Sequence, residues 1–496
     1  VGGRPVKLDI SREETFCNTR TRHSIEFDLA AGVGKDGRLL AKDMHSYSNQ
    51  GAYASHGHAI AANGLTSWRL QYACPNIRGE AYTIYTNTPV GGAMRGYGIP
   101  QVCFAIESFM DDVANEIHMD PLEFRRKNLI QGYYEDAYLK PIAANTNGIF
   151  ECLEKGAEYI HWDEKRKEYA EQTGDVRKGV GMALFSYKTG VWPISLEIAG
   201  ARLSLNQDGS VQLMLGATEI GQGADTVFSQ MVAETLHTDM EHVHIKTVQD
   251  TDVSPFDTGA YASRQSFVTG TAVRHCAEIL RDKILAYAKT LLPEIDTREL
   301  TLKDNWIWAG DEQAISLAAL AEESYYSLTN SSVLTAEVSE QVKKNTIATG
   351  CCFAEVEVDI KLGKIKILHI INVHDSGKLL NPQLAEMQVH GGMSMGMGYG
   401  ISEQLILDEK TGRPLNGNLL DYKLMTMLDT PDIKADFVEL CDPMGPYGNK
   451  ALGEPPAIPC APAIRNAVLH ATGVAFYENP LTPQRLIDGF KKAGLI

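Results

Sequence analysis

The sequence predicts an α+β fold built of two units, and three observations carry that expectation. A strand, a tight turn, a second strand, a loop and a helix follow one another twice, over residues 201–236 and again from residue 353. Each copy aims its loop at a helix start, Gly221-Gln222-Gly223 in the first and His374-Asp375-Ser376-Gly377 in the second. The chain has 496 residues, more than one hydrophobic core usually holds. A highly charged stretch, residues 161–179, is the expected linker, which divides the chain into 1–178 and 179–496.

Taken in order, residues 23–43 alternate apolar and polar side chains and are broken by Gly34-Lys35-Asp36-Gly37, the signature of a hairpin. Residues 87–100 form a glycine-rich loop. Val102, Ala105, Ile106, Phe109 and Val113 then recur at helical spacing over 101–117. Asp120-Pro121-Leu122-Glu123 starts another helix, with Asp as cap and Pro in the first turn. The first repeat turns at Asp208-Gly209 and ends in a helix over 224–236; the second turns at Leu362-Gly363 and enters a Gly/Met-rich helix near Leu384. Both loops suit a phosphate, because free backbone N–H groups and the helix dipole favour an anion there. Met393, Met395 and Met397 are expected to pack a close helix rather than bind a soft metal. His56 with His58, and His242 with His244, have too few ligand neighbours for a metal site.

A net charge of -17 excludes nucleic acid as a partner, since such binders present a basic footprint. No apolar run approaches the roughly 20 residues of a membrane span, so a cytoplasmic enzyme without membrane contact is expected. The nine cysteines form no C-x2-C or similar run, which argues against an iron–sulfur cluster in this chain and for reduced, buried thiols. The opening residues, Val1-Gly2-Gly3-Arg4-Pro5-Val6-Lys7-Leu8, read as a turn leading into a strand, as if the chain began inside a domain of a processed or split polypeptide.

Four segments carry chemistry. Gly91-Gly92-Ala93-Met94-Arg95-Gly96-Tyr97-Gly98 sets one guanidinium and one aromatic ring in a closely approachable backbone. Gly221-Gln222-Gly223 holds a neutral donor and acceptor between glycines, and Gly259 to Ser266 gathers Ser263, Arg264, Gln265 and Ser266 beside Ala262. Lys450-Ala451-Leu452-Gly453-Glu454-Pro455-Pro456 fixes one carboxylate between a glycine and two prolines, the rigid setting that a general base requires.

In this order, the motifs Ala93 to Gln101, Gly221-Gln222-Gly223, Tyr261-Ala262-Ser263-Arg264, Asn381-Pro382 through Gln388, and Gly453-Glu454-Pro455-Pro456 resemble the molybdenum-cofactor subunit of the xanthine dehydrogenase family. The resemblance spans nearly the whole chain. It implies two elongated α+β molybdenum-hydroxylase cofactor-binding domains enclosing a molybdenum–molybdopterin, in the cytosine dinucleotide form usual for bacterial members, with no side chain ligating the metal. Arg95 and Ala262 would line the molybdenum. Gly221, Gln222, Gly223, Ser263, Arg264, Gln265, Ser266, Gln388 and Gly453 would hold the pterin and its phosphate tail. Tyr97 and Trp192 would form the walls of a flat substrate site, and Glu454 would be the base.

The same resemblance implies hydroxylation of a purine or related N-heterocycle with water as oxygen source, or else an aldehyde or nicotinate-type hydroxylase; a noncatalytic cofactor- or partner-binding fragment is the alternative of another class. Electrons would leave through partner subunits carrying [2Fe–2S] clusters and FAD, in a dimer of such heteromers. Two departures stand out. The family's G-G-x-F-G loop is absent, and where some purine-oxidising members carry a substrate-clamping arginine before the Pro75-to-Gly79 segment, this chain has Ala61, Ala62, Asn63 and Gly64.

Overall fold

The computed structural model describes residues 1–131, 133–135, 141–143, 147–246 and 250–496. The first ten residues form a turn followed by irregular backbone, and no described strand pairs with them; a short helix, Arg12–Asn18, follows, closed by a capping box between Ser11 and Glu14. The strand expected at the start is therefore not formed among the described residues.

The predicted hairpin is present. Ile25–Val33 pairs antiparallel with Leu39–Gly51, which in turn pairs parallel with Ile77–Tyr85 across the helix Gly57–Leu70. The helix Ile99–Glu116 lies behind this sheet, and Asp120 caps Pro121–Asn128 by accepting from Leu122 N and Glu123 N. The burial of Ile99–Glu116 extends beyond the apolar stripe: Glu107 and Asp111 are buried with it, because fully buried Arg125 pairs with both.

The charged stretch expected to be a linker is folded instead. Trp162–Glu168 is a helix whose Trp162 is buried edge-on against Phe353, while Lys165 and Tyr169 both bond the buried Glu355. Its charges face solvent or pair with the sheet, which explains why composition alone suggests a linker. The position between residues 178 and 179 falls inside the strand Val176–Lys188.

That strand borders a four-stranded sheet, in the order Ile433–Phe437, Lys364–Asp375, Ile347–Asp359, Val176–Lys188. Helix Cys460–Thr472 packs on one face, so closely that a Cβ at Gly181 would stand 2.1 Å from Ala467 N. Helix Ile149–Ile160 covers the other face through Gly156, whose added Cβ would meet Phe353. A second four-stranded sheet, Thr335–Gln341, Ile198–Leu205, Val211–Leu215, Val243–Lys246, has a core of its own between residues 199 and 342, under helices Ala224–Leu236 and Gly270–Leu291.

The internal repeat is real. The first copy is Ile198–Leu205, Val211–Leu215, Ala224–Leu236, and the second is Ile347–Asp359, Lys364–Asp375, Pro382–Ile401. Met393 and Met397 are fully buried in the last helix. Of the cysteines, Cys17 and Cys441 are exposed and the rest buried; all are free thiols. No described helix is long and apolar enough to cross a membrane.

Candidate active site

The site is assembled where three loops meet the edge of the central sheet. Gly98, at φ +86°, ends one loop and starts helix Ile99–Glu116; a side chain there would strike Ile60. Tyr97 adopts φ +47°, a left-handed conformation strained for a residue with a Cβ. The turn this creates points Gly96 N–H at the Glu454 carboxylate, 3.0 Å away. A second fixed point comes from helix Pro382–Ile401, whose Gly392 and Gly396 leave room for residues 456–460 to pack directly on its backbone. Glu454 thus sits on a loop clamped from beneath.

Its carboxylate accepts from Gly96 N–H on one oxygen and from the Tyr187 hydroxyl on the other. The backbone N–H of Glu454 donates to Ser263 Oγ at 3.0 Å. Burial pushes the Glu454 carboxyl above the ordinary carboxylate range, opposed by the Tyr187 and Gly96 hydrogen bonds and then by the Arg95 and Arg22 charges. A pKa displaced in this direction, with the residue still partly open to solvent, suits a proton acceptor working near neutral pH. Tyr187 is fully buried by sheet and loop, and burial, followed by the Glu454 charge, raises its pKa, so it stays a protonated donor.

Arg95 ties the loops together. Its Nε donates to Gly453 O at 2.6 Å and one terminal nitrogen donates to Gln388 O at 2.9 Å, with Gln388 Oε1 at 3.4 Å. Arg22 in turn donates to Arg95 O at 2.5 Å and Gln101 Oε1 at 3.3 Å. Arg95, Gln388, Gly453, Glu454, Ser263 and Tyr97 are therefore one cluster.

Ala262 and Ser263 both adopt left-handed φ, +50° and +51°, inside the loop that leads into helix Gly270–Leu291. Two such residues in succession cost free energy and persist only where surroundings hold them. The holder is Arg264, buried completely, which donates to Glu197 at 2.6 Å, Asp257 at 2.6 Å, Gly259 O and Ile198 O. Its guanidinium is turned inward and shapes the loop; it does not face the cluster around Glu454.

Gln222 and Gln265 form a second cluster. Gln222 Nε2 donates to Gln265 Oε1 at 2.6 Å, and both amides donate to Thr218 O. The free amides expected at the start of helix Ala224–Leu236 are not free: Glu219 accepts from Gly221 N, Gly223 N and Asp225 N at 2.7, 3.2 and 3.1 Å, and these bonds lower its pKa against burial. Likewise Asn381 caps the second repeat's helix at Leu384 N. A carboxylate and an amide oxygen take the places that the sequence pattern offers to a phosphate, because an uncapped helix start would leave its N–H groups unpaired.

Trp192 stands on the loop after Val176–Lys188, half-buried, with its carbonyl accepting from Lys188; among the described residues it makes no side-chain hydrogen bond to either cluster. Sequence reasoning misses Tyr187, Arg22 and Glu219. Tyr187 is the last of an unbroken run of buried residues in its strand, so nothing in its pattern marks it; Glu219 is an acidic residue just ahead of a helix, a legible capping signal.

The residues fit a molybdopterin. The loop carrying Ala262 to Ser266 leaves Thr258 Oγ1 buried without a partner among the described residues, and Gly221 has open space around its Cβ position. Neutral amides, hydroxyls and backbone groups predominate, the donors and acceptors that a pterin's fused amide edge requires.

Residues 155–431 match the family described as molybdopterin cofactor-binding domain, and residues 1–129 match a second family of that description. The chain belongs to the molybdopterin cofactor-binding domain family. It is 48% identical over 501 residues to the putative xanthine dehydrogenase molybdenum-binding subunit XdhA of Escherichia coli (strain K12), covering 100% of this chain and 66% of that protein. To the probable hypoxanthine oxidase XdhD of the same strain it is 31% identical, covering 99% of this chain and 52% of the relative. The chain thus spans about two-thirds or less of these relatives. Its fold is shared with quinoline 2-oxidoreductase from Pseudomonas putida 86, at TM-score 0.89 and 23% identity over 97% of this chain and 64% of that one. The aldehyde oxidoreductase from Desulfovibrio gigas superposes at TM-score 0.81 and 24% identity, over 97% of this chain and 51% of that one.

Proposed function

We propose that this chain is the molybdenum-cofactor catalytic part of a xanthine dehydrogenase-type hydroxylase that oxidises a purine or related N-heterocycle, with Glu454 as its base. The observation that carries the reading is the Glu454 carboxylate, fixed by Gly96 N–H and the Tyr187 hydroxyl at the junction of the three loops. Similarity to a xanthine dehydrogenase molybdenum-binding subunit over all of this chain supports it.

When bound, the molybdenum cofactor supplies a two-electron oxidant, and water supplies the oxygen. Glu454 takes up the proton released as that oxygen bonds to an electrophilic ring carbon. Arg95 holds Gly453 and Gln388 in place, so the carboxylate meets the reacting edge in one orientation. Tyr97 offers the aromatic face against which a flat ring stacks. Gln222, Gln265, Ser263, Ser266 and Gln388 hold the pterin beside Ala262 and Gly453, while Gly221 and Gly223, whose N–H groups Glu219 takes, form the loop that leaves it room; the dinucleotide form with cytosine is proposed with it. Arg264 acts on the cofactor only through the loop it shapes.

The reading also assigns partners: an iron–sulfur subunit and an FAD subunit receive the electrons in the cytoplasm, assembled as a dimer of heteromers. The test is purification of the chain with its copurifying partners. About one molybdenum per chain, cytidine nucleotide released on denaturation, iron confined to another chain, and reduction by an N-heterocycle are the expected results. Stoichiometric iron and acid-labile sulfide on the isolated chain, or reduction by aldehydes alone, would overturn it.

A further inference from the structure

The unit with its own core between residues 199 and 342 supplies loops to the same site as Glu454, which belongs to a different part of the chain. Helix Ala224–Leu236 follows the Gln222 loop, and helix Gly270–Leu291 follows the loop of Ser263 and Gln265, so the placing of these two helices sets where those side chains lie. Glu454 comes after a tight turn at residues 445–449. Between turn and carboxylate the chain is fastened to the ends of two strands of the central sheet. Lys450 N–H donates to Ser376 O at 2.7 Å, buried Lys450 Nζ pairs with buried Asp375 Oδ2 at 2.7 Å, and Ala451 N–H donates to Thr189 Oγ1 at 3.1 Å.

One side chain of the turn reaches across to the other unit. The Tyr447 hydroxyl donates to Met231 O at 2.9 Å and accepts from the Thr235 hydroxyl, both on helix Ala224–Leu236. Its ring lies beneath Arg274 of helix Gly270–Leu291, with the guanidinium carbon 5.3 Å from the ring centre. Pro446 adds a contact at the start of that helix, since a Cβ on Gly270 would stand 3.3 Å from Pro446 Cγ and 2.8 Å from Met231 Cε. Both helices and the turn thus meet at one point.

The backbone makes this contact costly to keep. Tyr447 has φ +56°, a left-handed conformation that glycine adopts freely and a residue with a Cβ does not. The turn has no room to relax: a Cβ on Gly445 would stand 2.0 Å from Asn449 O, and one on Gly448 2.1 Å from Cys441 Sγ. A tyrosine held in that conformation is therefore held by what its side chain grips.

We propose that Tyr447 is a positioning residue that keeps the loops of Gln222, Ser263 and Gln265 in register with Glu454. It ties the two helices that bear those loops to a turn whose far end is fixed by Lys450 and Asp375. The bond from Glu454 N–H to Ser263 Oγ, at 3.0 Å, joins the two parts directly and reports their registry. The proposal rests on the reading of Glu454 as the base and of these loops as holders of the cofactor, and adds how the two are kept aligned. Displacement of reacting groups by about 1 Å can cost up to about 10²-fold in rate.

The test uses the complete loaded enzyme as wild type, Tyr447→Gly and Tyr447→Phe. Glycine relieves the backbone strain, so the fold should survive loss of the ring; phenylalanine keeps the ring beneath Arg274 and loses only the hydroxyl bonds. Hydrogen–deuterium exchange is followed by mass spectrometry in a peptide spanning residues 451–456, where Pro455 and Pro456 carry no N–H and Glu454 is one of four amides. In Tyr447→Gly this peptide and residues 262–266 should exchange at least about tenfold faster, while the interiors of the two helices keep their wild-type protection. For an N-heterocycle, kcat should fall about tenfold with KM nearly unchanged, and Tyr447→Phe should lie between the Gly variant and wild type. The acidic limb of the pH profile should stay in place, because Gly96 N–H and the Tyr187 hydroxyl still bond the carboxylate.

Unchanged exchange in both segments overturns the registry and leaves the hydroxylase reading intact. So does exchange raised evenly along both helices, which would make Tyr447 a support for its neighbouring unit alone, and so does a local rise in exchange with kcat unaltered. A local rise in exchange in a protein whose wild type oxidises no N-heterocycle supports the registry and overturns the reaction.

Discussion

Two carboxylates at helix Ile99–Glu116, one within it and one facing its first turn, are held very differently. Glu107 is inside the helix and fully buried. Its oxygens accept from Gln71 at 2.6 Å, Tyr72 at 2.7 Å, Arg125 at 2.9 Å and Leu184 N at 2.9 Å. Glu454, facing the turn just before the helix, accepts from two groups among the described residues, Gly96 N–H and the Tyr187 hydroxyl, and is partly open to solvent. Burial pushes both pKa values up, and for Glu107 the Arg125 charge is the main opposing influence. What separates them is bonding capacity left over. Glu107 has none, as expected of a residue that joins helix, strand and loop; Glu454 keeps an acceptor edge for a proton.

The sharpest way to test this contrast is to remove the saturated carboxylate. Glu107→Ala leaves Arg125 buried with Asp111 as its remaining carboxylate partner, so stability should drop by about 3–5 kcal/mol, read by urea unfolding. A loss under about 1 kcal/mol would show that the network contributes little and that counting donors does not identify a structural carboxylate.

The opposite outcome is expected at Glu454. Glu454→Gln keeps size and most hydrogen bonding but loses the basic oxygen, so reduction of the loaded enzyme by a heterocycle should slow by at least about 10²-fold. Unfolding free energy should change by no more than about 1 kcal/mol. A reductive rate within threefold of wild type at matched molybdenum content, across pH 6 to 9, would remove Glu454 from the chemistry.

Much of the frame around these two carboxylates is legible in the sequence. The hairpin, the repeat, the capped helix at Asp120 and the rigid Gly453-Glu454-Pro455 loop follow from local rules, which act within a few residues and leave their mark in the pattern. Other features are not legible because they depend on what packs from afar. Arg264 is a loop arginine by sequence and a buried latch by contact with Glu197 and Asp257. The stretch around Trp162 looks like a linker because charge dominates its composition, although one indole anchors it to the sheet. Glu219 fills the helix start that the pattern leaves for a phosphate. Tyr187 is the clearest case: its partner is 267 residues away, and no periodicity records that distance.

Tyr187→Phe gives the finest test, since it removes one hydroxyl and nothing else. The hydroxyl donates to the ionised carboxylate, so it favours the charged form and holds the Glu454 pKa below what burial alone would impose. Without it the pKa rises. The base is active when ionised, so kcat/KM climbs as pH passes through that pKa, and the acidic limb of the profile should move to higher pH by about one unit, the equivalent of about 1.4 kcal/mol. Above the limb the rate should return to within about threefold of wild type, because the base itself is intact. The infrared carbonyl band of a protonated buried carboxyl, measured by titration and absent from Glu454→Gln, should persist to higher pH in the Phe variant. Were Tyr187 only a filler of the apolar cluster with Phe185 and Ile458, Phe would serve equally well and neither the limb nor the band would move. A limb displaced towards lower pH would reverse the sign of the proposed interaction and with it the assignment of Tyr187 as the residue that positions and tunes Glu454.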